Sequence, residues 1–446
     1  MNITRNEPLI HKTQAMCPKC LDIIDGEIRE DNGNIWLVRT CPVHGETRTF
    51  LSAHPDYFRD LHGFYTAVMD RSYPQRDFIL RLTERCNLEC PICLAGANQQ
   101  VLADFSVEEI KRLVKGMRGK KIDLMGCEPT IVKDLPEIIR IISEAGNISA
   151  LHSNGVELAD FDYLKKLKEN GLHEVHLQFD GFDDKAYEII RGKPLLQNKL
   201  KALENLEKLE IPVDLVMTIL AGVNEKEIPA VLDFAVQHSN VKELFFLGCR
   251  MLGRAAGHFE SAQLLPDQVI DLVAASSKDR ISRERVRRFQ KLYFGALSIF
   301  KVRKCLYIQH YLLMRKGGKD YVTLDDVVNM PRLELVLERY RRRREENSAL
   351  AVPLFFLEAM PIVVNLKTVG LLADFFVLTM LMKFGFNLMR VRSRTIMLGY
   401  ITACDPLIYN TFVAENCGKG EISRDLGVQE AGALANVMRE HRWRKK

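Results

Sequence analysis

Short apolar runs alternate with amphipathic stretches between residues 71 and 250. Phe78–Leu82, Ile122–Met125, Ile148–Leu151, Val175–Phe179, Val213–Leu220 and Glu243–Gly248 have the length and side-chain character of strands. Helical patterns fall between them. One opens at Ser106-Val-Glu-Glu109, in the form of a capping box. Another runs from Asp134 to Ala145-Gly146, and others cover Phe161–Asn170, Lys199–Leu209 and Glu227–Gln237. Regular strand–helix alternation predicts a parallel α/β architecture, and six units predict a partial (β/α)6 TIM-type barrel over residues 71–250. Such barrels carry their chemistry at the C-terminal ends of the strands. The residues just after each strand are therefore the candidates for a site.

Residues 1–70 read differently. Cys17-Pro-Lys-Cys20 and Cys41-Pro-Val-His44 flank a hairpin signalled by Asn32-Gly33. Folding the hairpin brings Cys17, Cys20, Cys41 and His44 together as a tetrahedral Cys3His site for zinc or a rubredoxin-like iron. A unit this small buries little core, so the metal is expected to hold it together. Beyond residue 250 the β/α rhythm fades and helical patterns dominate residues 251–446. The run Arg339–Arg344 reads as a solvated helix face or as a surface for phosphate headgroups. The apolar stretch Ala349–Met389 is interrupted by Glu358, Lys367, Asp374 and Lys383, leaving runs too short to span a bilayer. It is a core helix or the wall of a greasy tunnel in peripheral contact with a membrane surface.

Composition narrows the classes. The chain has 446 residues, 47% of them hydrophobic, and a net charge of +5, a balance that points to no nucleic-acid partner. Met1-Asn-Ile-Thr-Arg-Asn-Glu7 has no apolar core of a signal peptide. Eleven cysteines without such a signal fit a reducing cytoplasm and metal ligation better than a disulfide framework.

The decisive spacing follows the first predicted strand: Cys86-x3-Cys90-x2-Cys93. Three thiolates on one loop can hold three irons of a [4Fe–4S] cluster and leave the fourth open. A structural zinc loop would want a fourth ligand, and none is adjacent. The loop resembles the motif of the radical S-adenosylmethionine (radical SAM) superfamily. The resemblance implies that SAM binds the open iron by its amine and carboxylate. It implies reductive cleavage to a 5′-deoxyadenosyl radical that abstracts hydrogen from substrate. After the second strand, Gly126-Cys127-Glu128-Pro129 resembles the family's G-G-E-P motif, with Cys127 in place of the second glycine. The resemblance implies that Gly126, Glu128 and Pro129 hold the SAM amino group and that Ser153 and Asn154 meet the ribose or carboxylate. It implies further that Arg191 meets the carboxylate and that Asn224 lies near the adenine. Read alone, Asn154-Gly155 is only a turn.

The two C-P-x-[C/H] knuckles ahead of the loop, Gln178-Phe-Asp-Gly181 and Gly222-Val-Asn224 narrow the resemblance to a subgroup. It holds tetraether lipid synthases and radical SAM pterin methyltransferase-like proteins. Ile401–Asn410 resembles a late segment of that subgroup. The implied substrate is hydrophobic, a lipid chain modified or coupled carbon to carbon. The alternatives are methyl transfer to a pterin or similar ring, and peptide modification. A ferredoxin or flavodoxin is the expected electron donor. Cys249, Cys305, Cys404 and Cys417 are either ordinary buried thiols or ligands of an auxiliary cluster.

Overall fold

The computed structural model describes residues 8–70, 72–99, 103–250, 253–255, 264–306, 308–359, 362, 394–402, 405–423 and 427–429. A four-stranded antiparallel ribbon comes first, built of β1 (Leu9–Met16), β2 (Ile23–Asp31), β3 (Asn34–Cys41) and β4 (Gly45–Ser52) in that order. Asn32 and Gly33, at φ of 49° and 73°, close the β2–β3 hairpin. Positive φ at both positions is the primed turn whose twist matches the flanking strands. Helix α1 (Pro55–Val68) leads from the ribbon to the barrel.

The barrel alternates as predicted, with one further helix, Asp184–Arg191, that the sequence reading does not anticipate. Its elements are β5 (Asp77–Thr83), α2 (Val107–Val114), β6 (Lys121–Gly126), α3 (Leu135–Glu144), β7 (Ile148–Ser153), α4 (Phe161–Glu169) and β8 (Leu172–Gln178). They continue with α5 (Asp184–Arg191), α6 (Leu196–Lys208), β9 (Val213–Ile219), α7 (Ile228–Gln237) and β10 (Val241–Gly248). β5 to β10 pair in parallel, in order. Ser106 and Glu109 form the expected capping box at α2, each side chain bonding the other's backbone N–H at 3.3 and 2.8 Å.

Side chains on the two faces of these strands differ in burial. Outward residues such as Leu80, Leu124, Leu177, Leu215 and Phe246 are fully buried against the helices. Each contributes about 1.5–3 kcal/mol of apolar burial. Inward residues Asp77, Ile79, Arg81, Lys121, Met125, His152, Gln178, Val216, Glu243, Phe245 and Leu247 remain partly accessible. The period of two therefore separates a packed shell from an open lumen.

The region after residue 250 holds the expected helices: α8 (Pro266–Ser276), α9 (Arg283–Phe300), α10 (Met330–Glu345) and α11 (Ala351–Ala359). It also supplies strands that the sequence reading does not anticipate. β11 (Gln309–Gly317) and β12 (Asp320–Thr323) form a hairpin; β13 (Thr395–Thr402) pairs in parallel with β10 and antiparallel with β11. After the short α12 (Thr411–Glu415), β14 (Lys419–Ser423) pairs in parallel with β5 and carries β15 (Gly427–Gln429). Both edges of the six-stranded core are thus covered from the C-terminal region. In the basic run, Arg341 bonds Glu338 and Glu345 at 2.8 and 2.5 Å, and Arg343 bonds Glu358 at 2.5 Å. Most of the expected apolar stretch, residues 363–389, lies outside the described residues, as does Cys404. Among the described residues, no helix is long and apolar enough to cross a membrane.

Candidate functional site

The loop after β5 carries Cys86, Cys90 and Cys93, and its backbone is fastened at both ends. The Asn98 side chain accepts from Cys86 N at 2.9 Å and donates to Cys86 O at 3.1 Å. Arg254 donates its backbone N–H to Cys93 O at 3.0 Å and its guanidinium to Cys90 O at 3.3 Å and to Ala97 O. Backbone N–H groups of Leu88 and Ala97 lie 3.3 and 3.4 Å from the sulfurs of Cys86 and Cys93. Hydrogen bonds to ligating sulfurs are among the means by which a protein tunes an iron–sulfur cluster. Burial pushes the Cys86 thiol up to about 12, and the neighbouring Glu128, Cys90 and Cys93 add to the shift. Mutually repelling thiolates in a half-buried loop are a donor set that a cationic cluster would stabilise. The residues present fit the group.

The next three strand ends form the wall beside this loop. Gly126 has φ of +129°, and a Cβ there would lie 2.4 Å from Thr83 O, so no other residue fits. Glu128 follows, almost wholly buried. Its Oε1 accepts from Thr130 N, Thr130 Oγ1 and Ser153 Oγ at 3.2, 2.6 and 2.9 Å, and its Oε2 accepts from Asn154 N at 2.7 Å. Burial holds this carboxyl above its usual range. Pro129 starts the single turn Pro129–Ile131 that Glu128 caps. Asn154 Nδ2 donates to Asn87 Oδ1 at 2.7 Å and lies 3.8 Å from Cys86 Sγ. The structure therefore brings Gly126, Glu128, Pro129, Ser153 and Asn154 against the cysteine loop. Glu128 spends its acceptors on fixing Ser153 and Asn154.

Asp180, after β8, is a hub that the sequence reading quotes but gives no role. It accepts from Arg191 Nε at 2.7 Å, Arg191 Nη2 at 3.0 Å and Thr218 N at 3.0 Å. Arg191 also reaches Thr218 Oγ1 at 3.1 Å, so its donor fork is turned toward the strand ends. Asn224 is fully buried; it donates to Asp180 O and Thr218 O at 3.0 and 2.9 Å and accepts from Leu220 N at 2.9 Å. Every polar atom of its side chain is engaged, and it acts as a staple between two strand ends. Lys199 of α6 is fully buried, donating to Gln178 Oε1 at 2.5 Å and to Asn154 O. No motif announces Lys199 or Asn98; only the fold brings them here. Cys249 and Cys417 are buried in two separate apolar clusters.

In the ribbon, Cys17, Cys20, Cys41 and His44 converge, with ligand atoms all within 4.8 Å of one another. Cys20 Sγ and Cys41 Sγ are 3.8 Å apart; His44 Nδ1 is 3.6 Å from Cys17 Sγ and 3.4 Å from Cys41 Sγ. A tetrahedron with zinc–sulfur bonds of about 2.3 Å and a zinc–nitrogen bond of about 2.0 Å has edges of about 3.5–3.8 Å. The donor set fits a zinc ion.

The family model of the radical SAM superfamily matches residues 80–235. Residues 80–235 form a radical SAM domain. A radical SAM domain implies a [4Fe–4S] cluster and SAM as its cofactors. A second model, the HMPTM N-terminal zinc ribbon domain, matches residues 9–53. The chain is 34% identical over 258 residues to the 7,8-dihydro-6-hydroxymethylpterin dimethyltransferase of Methanocaldococcus jannaschii, covering 52% of this chain and 51% of that protein. It is 33% identical over 174 residues to the probable GTP 3′,8-cyclase of Pyrococcus abyssi, covering 38% of this chain and 56% of that one. The chain thus spans about half the length of these relatives. Streptococcus suis SuiB bound to S-adenosylmethionine superposes with a TM-score of 0.40 at 13% identity, over 46% of this chain and 48% of that chain.

Below the strand ends, the lumen of the radical SAM domain is charged. Asp123, Glu174 and Asp214 are buried, and His152 and His176 lie among them. Lys121 Nζ bonds Glu174 and lies 3.2 Å from His176 Nε2; Lys419 Nζ bonds Asp123. Asp77, Lys304 and Glu243 complete the floor. Burial and the adjacent Glu243 push Asp214 well above the carboxylate range.

Proposed function

We propose that the protein is a radical SAM enzyme that modifies a polar nitrogen heterocycle of the pterin class, with methyl transfer as the reaction type. The carrying observation is the lumen. Its accessible inner surface joins flat side chains, His152 and Phe245, to polar groups, which suits a flat, hydrogen-bonding ring better than an alkyl chain. The zinc ribbon match and the likeness to a pterin dimethyltransferase support the same reading.

Cys86, Cys90 and Cys93 would hold the cluster; bound together, cluster and SAM supply a 5′-deoxyadenosyl radical. The protein's own part is to bind and orient. Glu128 fixes Ser153 and Asn154 at the edge of the cysteine loop, and Asp180 fixes Arg191. The buried floor keeps bulk water from the ring. Cys17, Cys20, Cys41 and His44 hold a structural zinc. A ferredoxin or flavodoxin supplies the electron.

The test is anaerobic reconstitution followed by incubation with SAM, a strong reductant and 7,8-dihydro-6-hydroxymethylpterin. The expected products are 5′-deoxyadenosine and methionine from cleaved SAM, S-adenosylhomocysteine from the SAM that donates each methyl, and a pterin heavier by one or two methyl groups. SAM cleavage that the pterin neither stimulates nor couples to a mass change would refute the reading.

A further inference from the structure

His152 and His176 stack in the lumen with ring centroids 4.1 Å apart and planes 2° from parallel, and Phe245 continues the wall 6.5 Å beyond His176. His152 stands on β7 two residues below Asn154, and His176 on β8 two residues below Gln178, so both lie directly under the strand ends that face the cysteine loop. Buried Asp123 holds His152 through Nε2 at 3.4 Å. The other ring nitrogen, Nδ1, has no hydrogen-bond partner among the described residues, and the side chain is 27% exposed to the lumen. A metal ion is a poor occupant here, because Lys121 and Lys419 already place ammonium groups against His176 and Asp123.

We infer that His152 is a substrate-binding residue whose Nδ1 accepts a hydrogen bond from a ring N–H of a flat, uncharged nitrogen heterocycle held against the His152–His176–Phe245 wall. Asp123 is its positioning residue. Burial keeps both imidazoles below their usual range, His176 at about 3, so His152 offers a lone pair near neutrality. The ionisable groups facing the pair, Lys121, Glu174, Asp214 and Lys419, are bonded to one another or to Asp123 and His176. They therefore leave His152 Nδ1 as an acceptor that a ligand can reach beneath the strand ends. The inference rests on the ring reading above.

The experiment titrates the reconstituted holoenzyme with 6-hydroxymethylpterin and, separately, with guanine, following ligand fluorescence or heat. His152→Ala and His152→Asn that load the parent's iron and zinc are expected to bind the pterin at least about tenfold more weakly. A second readout needs no variant: diethylpyrocarbonate modification of His152, mapped by mass spectrometry, should be blocked by the bound pterin. Parent-like binding by both variants, or pterin binding that leaves His152 unprotected, overturns the inference. Binding of guanine but not pterin, lost in both variants, upholds His152 and overturns the pterin reading. A parent chain that binds neither ring overturns both.

Discussion

Lys199 carries a proton at a cost. It is fully buried, and burial pushes its ammonium down to about 7, with nearby Asp180 working in the opposite sense. A free lysine titrates at about 10.4. Below the folded value both states hold the proton, and the folded state bears the whole penalty of a buried charge. Between the two values the unfolded chain binds more protons, so stability rises with pH across that window. The slope is at most about 1.4 kcal/mol per pH unit for one proton. In Lys199→Met the contribution vanishes. The stability of the parent minus that of the variant should therefore climb by about 1 kcal/mol per unit between about pH 7.5 and 9. Urea unfolding at several pH values measures this, and a flat difference would show that Lys199 is not held near neutrality. Neither Lys199 nor the saturated bonds of Glu128 and Asn224 can be read from a sequence. Partners for a buried polar side chain are set by which strand ends become neighbours, not by local spacing.

Among the elements, β5 to β10 were legible because each is an apolar run of strand length between turn signals. β14, Lys-Gly-Glu-Ile-Ser, has one apolar residue, and nothing local marks it; its register beside β5 makes it a strand. β13 is apolar enough to be read, yet it follows a long apolar region and loses its boundary. The central hairpin of the ribbon, β2 and β3, was legible for a different reason: knuckle spacing and the Asn32-Gly33 turn specify it without reference to distant chain, whereas β1 and β4 were not anticipated. That independence makes a prediction. The ribbon's own apolar cluster is small, centred on Ala15, Ile28, Ile35 and Leu37. With so little core, the metal should decide whether it folds. Cys20→Ser should lose about one zinc per chain. It should also open residues 9–53 to protease while cluster-bound iron stays with the barrel. Retained zinc and an intact ribbon would show that Cys20 is not a ligand.

At the scale of the whole molecule, one short segment ties the ribbon to the barrel. Arg250, just beyond β10, bonds Asp405 at 2.5 Å, and both are buried. The other oxygen of Asp405 accepts from Leu407 N and Ile408 N at 2.8 and 3.1 Å, forming a turn. From that turn Leu407 O accepts from buried Arg39 of the ribbon at 2.6 Å. Ala15 bridges to Asn410, and Met16 and Leu21 pack on Tyr409 and Ala414. A charge chain thus runs from the strand end beside the cysteine loop to the zinc ribbon. Buried pairs are asymmetric: losing one partner strands the other charge, whereas removing both does not. Asp405→Asn and Arg250→Met should each cost about 3–5 kcal/mol. The double variant should cost clearly less than their sum, by an interaction energy of about 1–3 kcal/mol. Asp405→Ala, which also removes the oxygen that Leu407 N and Ile408 N bond, should loosen the Leu407 turn and so expose the ribbon to protease without loss of its zinc. This pattern differs from that of Cys20→Ser and separates undocking from unfolding. Additive single effects in the denaturation cycle would mean that Arg250 and Asp405 act independently, and the ribbon would then be held by its apolar contacts alone.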